Sequence, residues 1–255
     1  ANMVGVAAGL AAYGYKPIVV TFAPFATRRV CDQIAVSVAY AKQNVKIVGT
    51  DPGITAELNG GTHMSFEDIA TLRSIPTMTI YDAVDDTQVY QAIKQIMNTD
   101  GPCYIRMPRK TAQPVYDENY KFALNKADVI TKGNDITIVA SGIMVAESLK
   151  AVLKLKEEGI SAELISANTI KPLDEETILN SIKKTNHVVT CENHNVIGGL
   201  YSAVSEMLIE KYPLHVDKIA VMDQFGQVGK YSELLNYYHL TSNDIYNVVK
   251  KNLNK

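Results

Sequence analysis

The chain has 255 residues, of which 47% are hydrophobic and 20% are charged, and its formal net charge is −2. This balance is typical of a soluble protein with enough apolar residues for one large or two medium domains. The weak negative charge argues against nucleic acid or an acidic membrane surface as a partner. No apolar run reaches the roughly 20 residues that a membrane-spanning helix needs.

Helix and strand signals alternate along residues 1–110. The chain opens without an initiator methionine, in a helix-like segment of small residues at 1–14, so we expect it to begin inside a longer polypeptide. Strands are predicted at 17–22, 45–49, 78–81 and 102–107, and helices at 26–42, 66–74 and 86–98. Asp82 and Asp85 are candidate caps for the last of these helices.

Residues 111–130 show no clean period, with Pro114, Tyr116 and Tyr120 among scattered charges, which predicts an extended linker. Residues 131–255 alternate again. Strands are predicted at 135–140, 161–166, 187–191 and 217–222, and helices at 144–157, 174–185 and 199–212. Repeated alternation predicts an α/β fold of two domains, 1–110 and 131–255, with mostly parallel sheets flanked by helices.

Cys31, Cys103 and Cys191 are widely spaced and form neither a CxxC pair nor a zinc motif. We therefore expect free thiols in a protein of the reducing cytoplasm.

The residues with the clearest chemical potential follow predicted strands. Phe22 and Phe25 come after the first strand, and His63 follows Gly60 and Gly61 in a loop. Ligands of open α/β sheets bind at the carboxyl ends of strands, where two aromatic rings suit a flat heteroaromatic ring. The glycines allow a close backbone approach, and the imidazole can donate, accept or titrate near neutral pH. A small local core and a loop histidine bonded to backbone are the structural alternatives.

Several segments together resemble the thiamine-diphosphate enzymes of the transketolase family over most of the chain. They are the Gly-x-Thr-His loop, the aromatic pair in 21–25, the segment 168–174 and the segment 192–200. The resemblance implies an N-terminally incomplete pyrimidine-binding domain at 1–110 and a transketolase C-terminal domain at 131–255. It also implies that Phe22 and Phe25 face the aminopyrimidine ring of thiamine diphosphate, and that His63 contacts substrate and moves protons. Glu192 and His194 look like a catalytic pair, but in this family their domain mainly supports subunit contact.

Three more positions match substrate-binding positions of the family. Asn59 stands where relatives usually carry an aspartate, and it can bond a hydroxyl without adding charge. Asp51, followed by Pro52, stands where relatives place a histidine or arginine for substrate phosphate, which an aspartate would repel. Arg109 matches an anion-binding arginine, a residue suited to bidentate contact, although a solvated surface charge is the alternative. The resemblance thus favours an anionic or polar substrate tail over ordinary phosphate recognition.

Two parts of the family's chemistry are missing from the sequence. The Gly-Asp-Gly motif, with which the family binds diphosphate and magnesium, does not occur, and the family's glutamate for the pyrimidine ring would fall before Ala1. We therefore expect the C-terminal portion of a transketolase or the small subunit of a split one. An N-terminal subunit or segment with the diphosphate-binding domain would be its partner, in a dimer of such pairs. That partner would hold most of the thiamine diphosphate and Mg²⁺.

The leading hypothesis is a transketolase that transfers a two-carbon ketol unit from a ketose to an aldose, with small sugars as substrates. Asp32 and Gln33 resemble the deoxyxylulose-phosphate synthase branch, which is the closest alternative. The beta subunit of a 2-oxo acid dehydrogenase fits less well, because its loop differs from the Gly-x-Thr-His pattern. A catalytically silent scaffold subunit of such a complex is the alternative from another class.

Overall fold

A computed structural model describes residues 1–110 and 112–254. Residue 111, the first of the predicted linker, and residue 255, the last of the predicted second domain, lie outside the described part. The helices and strands, in chain order, are α1 (Asn2–Ala12), β1 (Ile18–Phe22), α2 (Ala23–Ala26), α3 (Cys31–Gln33), β2 (Lys46–Thr50), α4 (Asp68–Arg73), β3 (Thr79–Asp82), α5 (Asp86–Asn98), β4 (Cys103–Met107), β5 (Asp128–Thr131), β6 (Ile136–Ala140), α6 (Met144–Glu157), β7 (Ala162–Ser166), β8 (Thr169–Lys171), α7 (Glu175–Thr185), β9 (Val188–Asn195), α8 (Leu200–Lys211), β10 (Asp217–Val221), α9 (Tyr231–Tyr237) and α10 (Ser242–Leu253).

The strands form two five-stranded sheets, which confirms the predicted fold class. The first has the order β1-β2-β4-β3-β8, and the second has the order β10-β9-β6-β7-β5. All neighbours are parallel except β8 against β3 and β5 against β7. Helices cover the strands as expected for parallel sheets, whose hydrophobic strands need cover on both faces.

Strand β8 joins the two halves of the chain. It lies between β7 and α7 in sequence, yet it pairs with β3 at the edge of the first sheet. A large apolar cluster continues across the same boundary and contains Val4 and Ile47 of the first half together with Ile182 and Leu200 of the second. The two sheets therefore share a core.

The predicted helix at 26–42 is wrong as a single helix. The short helix α2 begins at Ala23, earlier than expected, with Pro24 in its first turn, where proline is favoured. Thr27 leaves helical geometry at φ −127° and ψ −90°, and its hydroxyl donates back to the carbonyl oxygen of Ala23 at 2.7 Å. A 3₁₀ turn follows, and α3 then continues into a π-helix at Ile34–Tyr40. Phe25 consequently lies in a short helix of its own directly after β1.

Residues 112–127 form neither helix nor strand and run along α5. Asp85 caps α5, since one carboxylate oxygen accepts the backbone N–H of Gln88 at 2.9 Å. Its other oxygen accepts the backbone N–H groups of Val115 and Tyr116, both at 2.8 Å. Phe122 is 4% exposed and lies in an apolar cluster of the first half. The predicted linker is thus fastened to the first sheet's layer, and its last residues enter strand β5.

Two helices near the end of the chain, α9 and α10, were not predicted. Thr241 and Asp244 form a reciprocal cap at the start of α10, in which each side chain accepts a backbone N–H of the other residue. Helix α10 packs against α6 through apolar residues that include Ile245 and Val249. Within the described residues, no helix is long and apolar enough to cross a membrane.

Candidate functional site

Three strand ends of the first sheet bring the predicted site residues to one edge. The register aligns Phe22 of β1 with Thr50 of β2, and Thr50 with Met107 of β4. Asp51 directly follows β2, and Arg109 stands two residues after β4. Because all three strands are parallel, these side chains lie at the carboxyl edge, where α/β sheets bind ligands.

Phe22, Phe25 and His63 form an aromatic cluster at this edge. The His63 ring meets Phe22 and Phe25 edge-on, with both centroid distances 5.1 Å, and the two phenyl centroids are 6.1 Å apart. All three side chains are only half-buried. The imidazole Nδ1 lies 3.0 Å from the hydroxyl of Thr62. The cluster therefore presents open aromatic surface and an imidazole to the same space.

Two arginines stack on the aromatic cluster. The Arg29 guanidinium lies 4.0 Å from the centre of the Phe25 ring, and that of Arg109 lies 4.5 Å from the centre of Phe22. Such cation–π contacts orient the rings and place positive charge beside them. Sequence reasoning missed Arg29, although its position four residues after Phe25 would place both on one face of a helical segment.

The second half of the chain contacts the histidine loop, residues 60–63, and the segment that leads into it. The side chain of Asn193, on β9, accepts the backbone N–H of Ile54 at 3.0 Å and donates to the carbonyl of Pro52 at 3.1 Å. A methyl group on Gly61 would overlap the carbonyl oxygen of Gly226. Gly61, which was expected to allow close approach of a ligand, thus also allows close approach of the backbone at Gly226.

Asp51 and Arg109 contact each other at the mouth of the site. The Asp51 carboxylate is 2% exposed, accepts the backbone N–H of Arg109 at 2.8 Å and pairs with the guanidinium Nε. Asn59 is exposed, and its amide donates to the carbonyl of Ala56 at 2.7 Å. Asp51, Asn59 and Arg109 line one cleft of about 240 Å³. Arg109 connects this cleft to the aromatic cluster through Phe22.

Glu192 and His194 lie inside the protein, both 0% exposed. Glu192 accepts the backbone N–H groups of Leu200 and Tyr201 at 2.6 and 2.9 Å and so caps helix α8. The His194 Nδ1 lies 2.7 Å from the carbonyl of Asn195, and Nε2 accepts the backbone N–H of Ala70 at 3.3 Å. Burial raises the pKa of Glu192 to about 7 and lowers the pKa of His194 to about 4. Both side chains thus connect backbone segments and have no open side for a substrate.

Arg106 joins the two halves below the site. It is 1% exposed and contacts Asp68 through Nε at 2.8 Å and Asp82 through Nη1 at 3.2 Å. Its Nη2 donates to the carbonyl oxygen of Asn193 at 2.5 Å, so the guanidinium reaches strand β9 of the second sheet. Asp82 serves this network and not the cap of α5.

The described residues could bind only part of thiamine diphosphate, the cofactor that the resemblance implies. The aromatic cluster offers a stacking surface for a flat ring. In the ranges 1–110 and 112–254, no group of three or more His, Cys, Asp or Glu side chains could hold a metal ion. A magnesium diphosphate would therefore need ligands beyond these residues.

The fold is that of an α/β protein whose candidate site lies at the carboxyl edge of a mostly parallel sheet. The family model for the transketolase pyrimidine-binding domain matches residues 1–114, and that for the transketolase C-terminal domain matches residues 125–245. The chain belongs to the transketolase family, as its resemblance predicted.

Several relatives of similar length are described as subunits or sections of transketolases. The chain is 53% identical to a 6-deoxy-6-sulfo-D-fructose transketolase subunit of Clostridium sp. (strain MSTE9), over 96% of this chain and 76% of the relative. It is 40% identical to a putative transketolase C-terminal section of Methanocaldococcus jannaschii, over 100% of this chain and 80% of the relative. It superposes on a split-gene transketolase solved as an inactive beta4 tetramer, with a TM-score of 0.93 and 40% identity, over 99% of this chain and 81% of that one.

The chain is thus a member of a family of ketol transferases, and its relatives include subunits of split transketolases. The deoxyxylulose-phosphate synthase alternative is not favoured, because these relatives are transketolases.

Proposed function

We propose that this chain is the C-terminal subunit of a thiamine-diphosphate-dependent transketolase whose active site is completed by a partner. The observation that carries the proposal is the aromatic cluster with His63 at the carboxyl edge of the first sheet. Residues 1–110 would act as the pyrimidine-binding domain and 131–255 as the C-terminal domain. The transferred group would be a two-carbon ketol unit, released from a ketose by cleavage beside the carbonyl and added to an aldehyde.

Phe22 and Phe25 would hold the aminopyrimidine ring of the cofactor. Their rings are half-buried, belong to adjacent elements and are braced by Arg109 and Arg29. Bound thiamine diphosphate supplies an electron sink, while the protein supplies orientation and proton handling.

His63 would act on the substrate. Its imidazole lies beside both phenyl rings and is neither buried nor engaged by a charged group among its described contacts. When the ketose is cleaved, the hydroxyl next to the breaking bond loses its proton, and the acceptor aldehyde later gains one. An imidazole at this position can accept and return that proton, which is typically worth about 10²–10⁴-fold in rate.

A partner subunit would hold the diphosphate and Mg²⁺. The described residues contain no cluster of metal-ligating side chains, and the related split-gene chain is described as an inactive tetramer of beta subunits. Both observations support a site that needs an N-terminal subunit, in a dimer of such pairs. The three cysteines are free thiols, which supports a cytoplasmic location.

Reconstitution tests this function. The chain, its N-terminal partner and the mixture are each titrated with thiamine diphosphate and Mg²⁺ by calorimetry and assayed with ketose donors and an aldose acceptor. We expect micromolar cofactor binding and ketol transfer in the mixture and neither in this chain alone. Micromolar binding by the isolated chain would refute the divided site, and a mixture that binds cofactor without ketol transfer would favour a silent scaffold.

A further inference from the structure

One arginine side chain joins both ends of the segment that carries His63. The Arg28 guanidinium donates through Nη1 to the Glu67 carboxylate at 2.7 Å and, in a longer contact, through Nη2 to the backbone carbonyl of Thr62 at 3.4 Å. Thr62 directly precedes His63, and Glu67 follows it by four residues. Because a guanidinium is a planar fork of donors, Arg28 can fix the two ends of residues 62–67 relative to each other.

The backbone position of Arg28 links this contact to the aromatic cluster. Helix α2 carries Phe25, whose ring meets the His63 imidazole edge-on with the centroids 5.1 Å apart. The 3₁₀ turn Arg28–Val30 begins two residues after the end of α2. One short stretch, residues 25–28, therefore contacts both the His63 ring and the residues on either side of it.

Glu67 is itself fixed at the position where Arg28 meets it. Its Oε1 accepts from Arg28, while its Oε2 accepts the backbone N–H of Phe66 at 3.0 Å. Its backbone carbonyl accepts the N–H and the hydroxyl of Thr71, at 2.9 and 2.8 Å, at the start of helix α4. Arg28 thus pairs with a carboxylate that is anchored to a helix and not to a free loop.

The fold gains little from the Arg28–Glu67 pair. The two side chains are 43% and 36% exposed, and ion pairs at such positions contribute little to folding stability. The geometric effect of the pair is more direct. The Thr62 hydroxyl lies 3.0 Å from the Nδ1 of His63, so a shift of the Thr62 peptide would move a hydrogen-bond partner of the imidazole.

We infer that Arg28 is a positioning residue, which together with Glu67 keeps residues 62–67 in the conformation that directs the His63 imidazole at the substrate. The inference rests on the proposed function of His63. Proton transfer depends steeply on placement, and a displacement of about 1 Å can cost about 10²-fold in rate. In this role Arg28 acts on the reaction only through His63.

A double-mutant cycle of Arg28→Gln and His63→Ala in the assembled enzyme tests this role. Arg28→Gln alone should lower the kcat of ketol transfer by about tenfold and change the donor KM by less than about twofold. In the His63→Ala background the same substitution should lower kcat by less than about twofold, because the group that it positions is gone. Arg73→Gln removes an arginine from another ion pair, with Glu206, at the far end of α4, and should leave kcat and KM unchanged.

Amide hydrogen exchange adds a readout that needs neither cofactor nor turnover. The backbone N–H groups of His63 and Met64 both bond to the carbonyl of Gly60. In the isolated full chain, Arg28→Gln should speed exchange of the peptide that covers these two amides by at least about threefold, because the loop opens more often. Arg73→Gln should leave that exchange rate unchanged.

The two measurements separate the possible failures. Equal losses of kcat from Arg28→Gln with and without His63 would overturn the inference, because Arg28 would then act on the substrate itself or on the fold. A wild-type kcat or a wild-type exchange rate in Arg28→Gln would overturn it as well. Absence of ketol transfer by the wild-type assembly would refute the proposed function, and the inference with it.

Discussion

Gly61 of the histidine loop lies against the carbonyl oxygen of Gly226, so closely that a methyl group on Gly61 would overlap it. Gly61 precedes His63 by two residues, whereas Gly226 belongs to the second half of the chain. Asn193 adds two hydrogen bonds from the second sheet to the start of the 3₁₀ segment, Gly53–Asn59, that leads into this loop. The C-terminal half therefore helps to set where the imidazole stands, even though the aromatic cluster belongs entirely to the N-terminal half.

The aromatic pair should determine cofactor affinity. Phe22→Ala or Phe25→Ala in the assembled enzyme should weaken thiamine diphosphate binding by roughly 0.5–1.5 kcal/mol of stacking, with a further loss from reduced burial. Cofactor titrations measure the effect. Tyr90→Ala removes an aromatic ring at an 83% exposed position on α5 and serves as the control, which should leave cofactor affinity unchanged. Wild-type affinity in both phenylalanine variants would show that the pair is only a local core.

The buried guanidinium of Arg106 should contribute strongly to folding stability. Arg106→Met leaves the buried carboxylates of Asp68 and Asp82 without their cation, which should lower the free energy of unfolding by about 3–5 kcal/mol. Arg73→Met breaks the more exposed pair with Glu206 and should cost less than about 1 kcal/mol. Urea unfolding of both variants gives the comparison. Equal losses would contradict a special role for the buried network.

Glu192 and His194 should oppose each other in the pH dependence of stability. The pKa of Glu192 is raised from 4.5 to about 7, so its contribution is present at low pH and is lost as pH rises between those values. The pKa of His194 is lowered from 6.5 to about 4, so its contribution is present above pH 6.5 and is lost as pH falls towards 4. Between about pH 4.5 and 6.5 the two slopes should largely cancel.

Single variants should expose each slope. Relative to wild type, the unfolding free energy of Glu192→Gln should rise with pH in this range, and that of His194→Asn should fall, each by at most about 1.4 kcal/mol per pH unit. Urea unfolding at several pH values measures both. Variants whose stabilities run parallel to that of the wild type would show that neither group titrates as its burial implies.

Local sequence patterns predicted the four parallel strands of the first sheet, and with them the meeting of Phe22, Asp51 and Arg109 at one edge. The prediction works because parallel strands share a carboxyl edge whatever their order. Strand β8 was not predicted, since its three residues pair with β3, which is distant in sequence. Pairing across such distances leaves no local period.

The geometry within the site was harder to predict. Asp51 and Arg109 were each matched to substrate-binding positions, but their mutual ion pair joins residues 58 positions apart and has no local signature. The end of α2 at Thr27 was not predicted either. The sequence around it is apolar and has a helical pattern, whereas the helix ends where the Thr27 hydroxyl donates to the carbonyl of Ala23. Sequence thus located the site, while tertiary contacts determined its charge balance.

The role of His63 gives the most direct test of the account. His63→Ala is measured in the assembled enzyme by steady-state kinetics and by cofactor titration, with His239→Ala, whose side chain is 82% exposed, as the control. We predict that kcat/KM falls by about 10²-fold or more, while thiamine diphosphate affinity stays near the wild-type value because the phenyl rings remain. Near-normal turnover would leave His63 as a structural loop residue, and a large loss of cofactor affinity would place it in the cofactor pocket; either result would contradict the account.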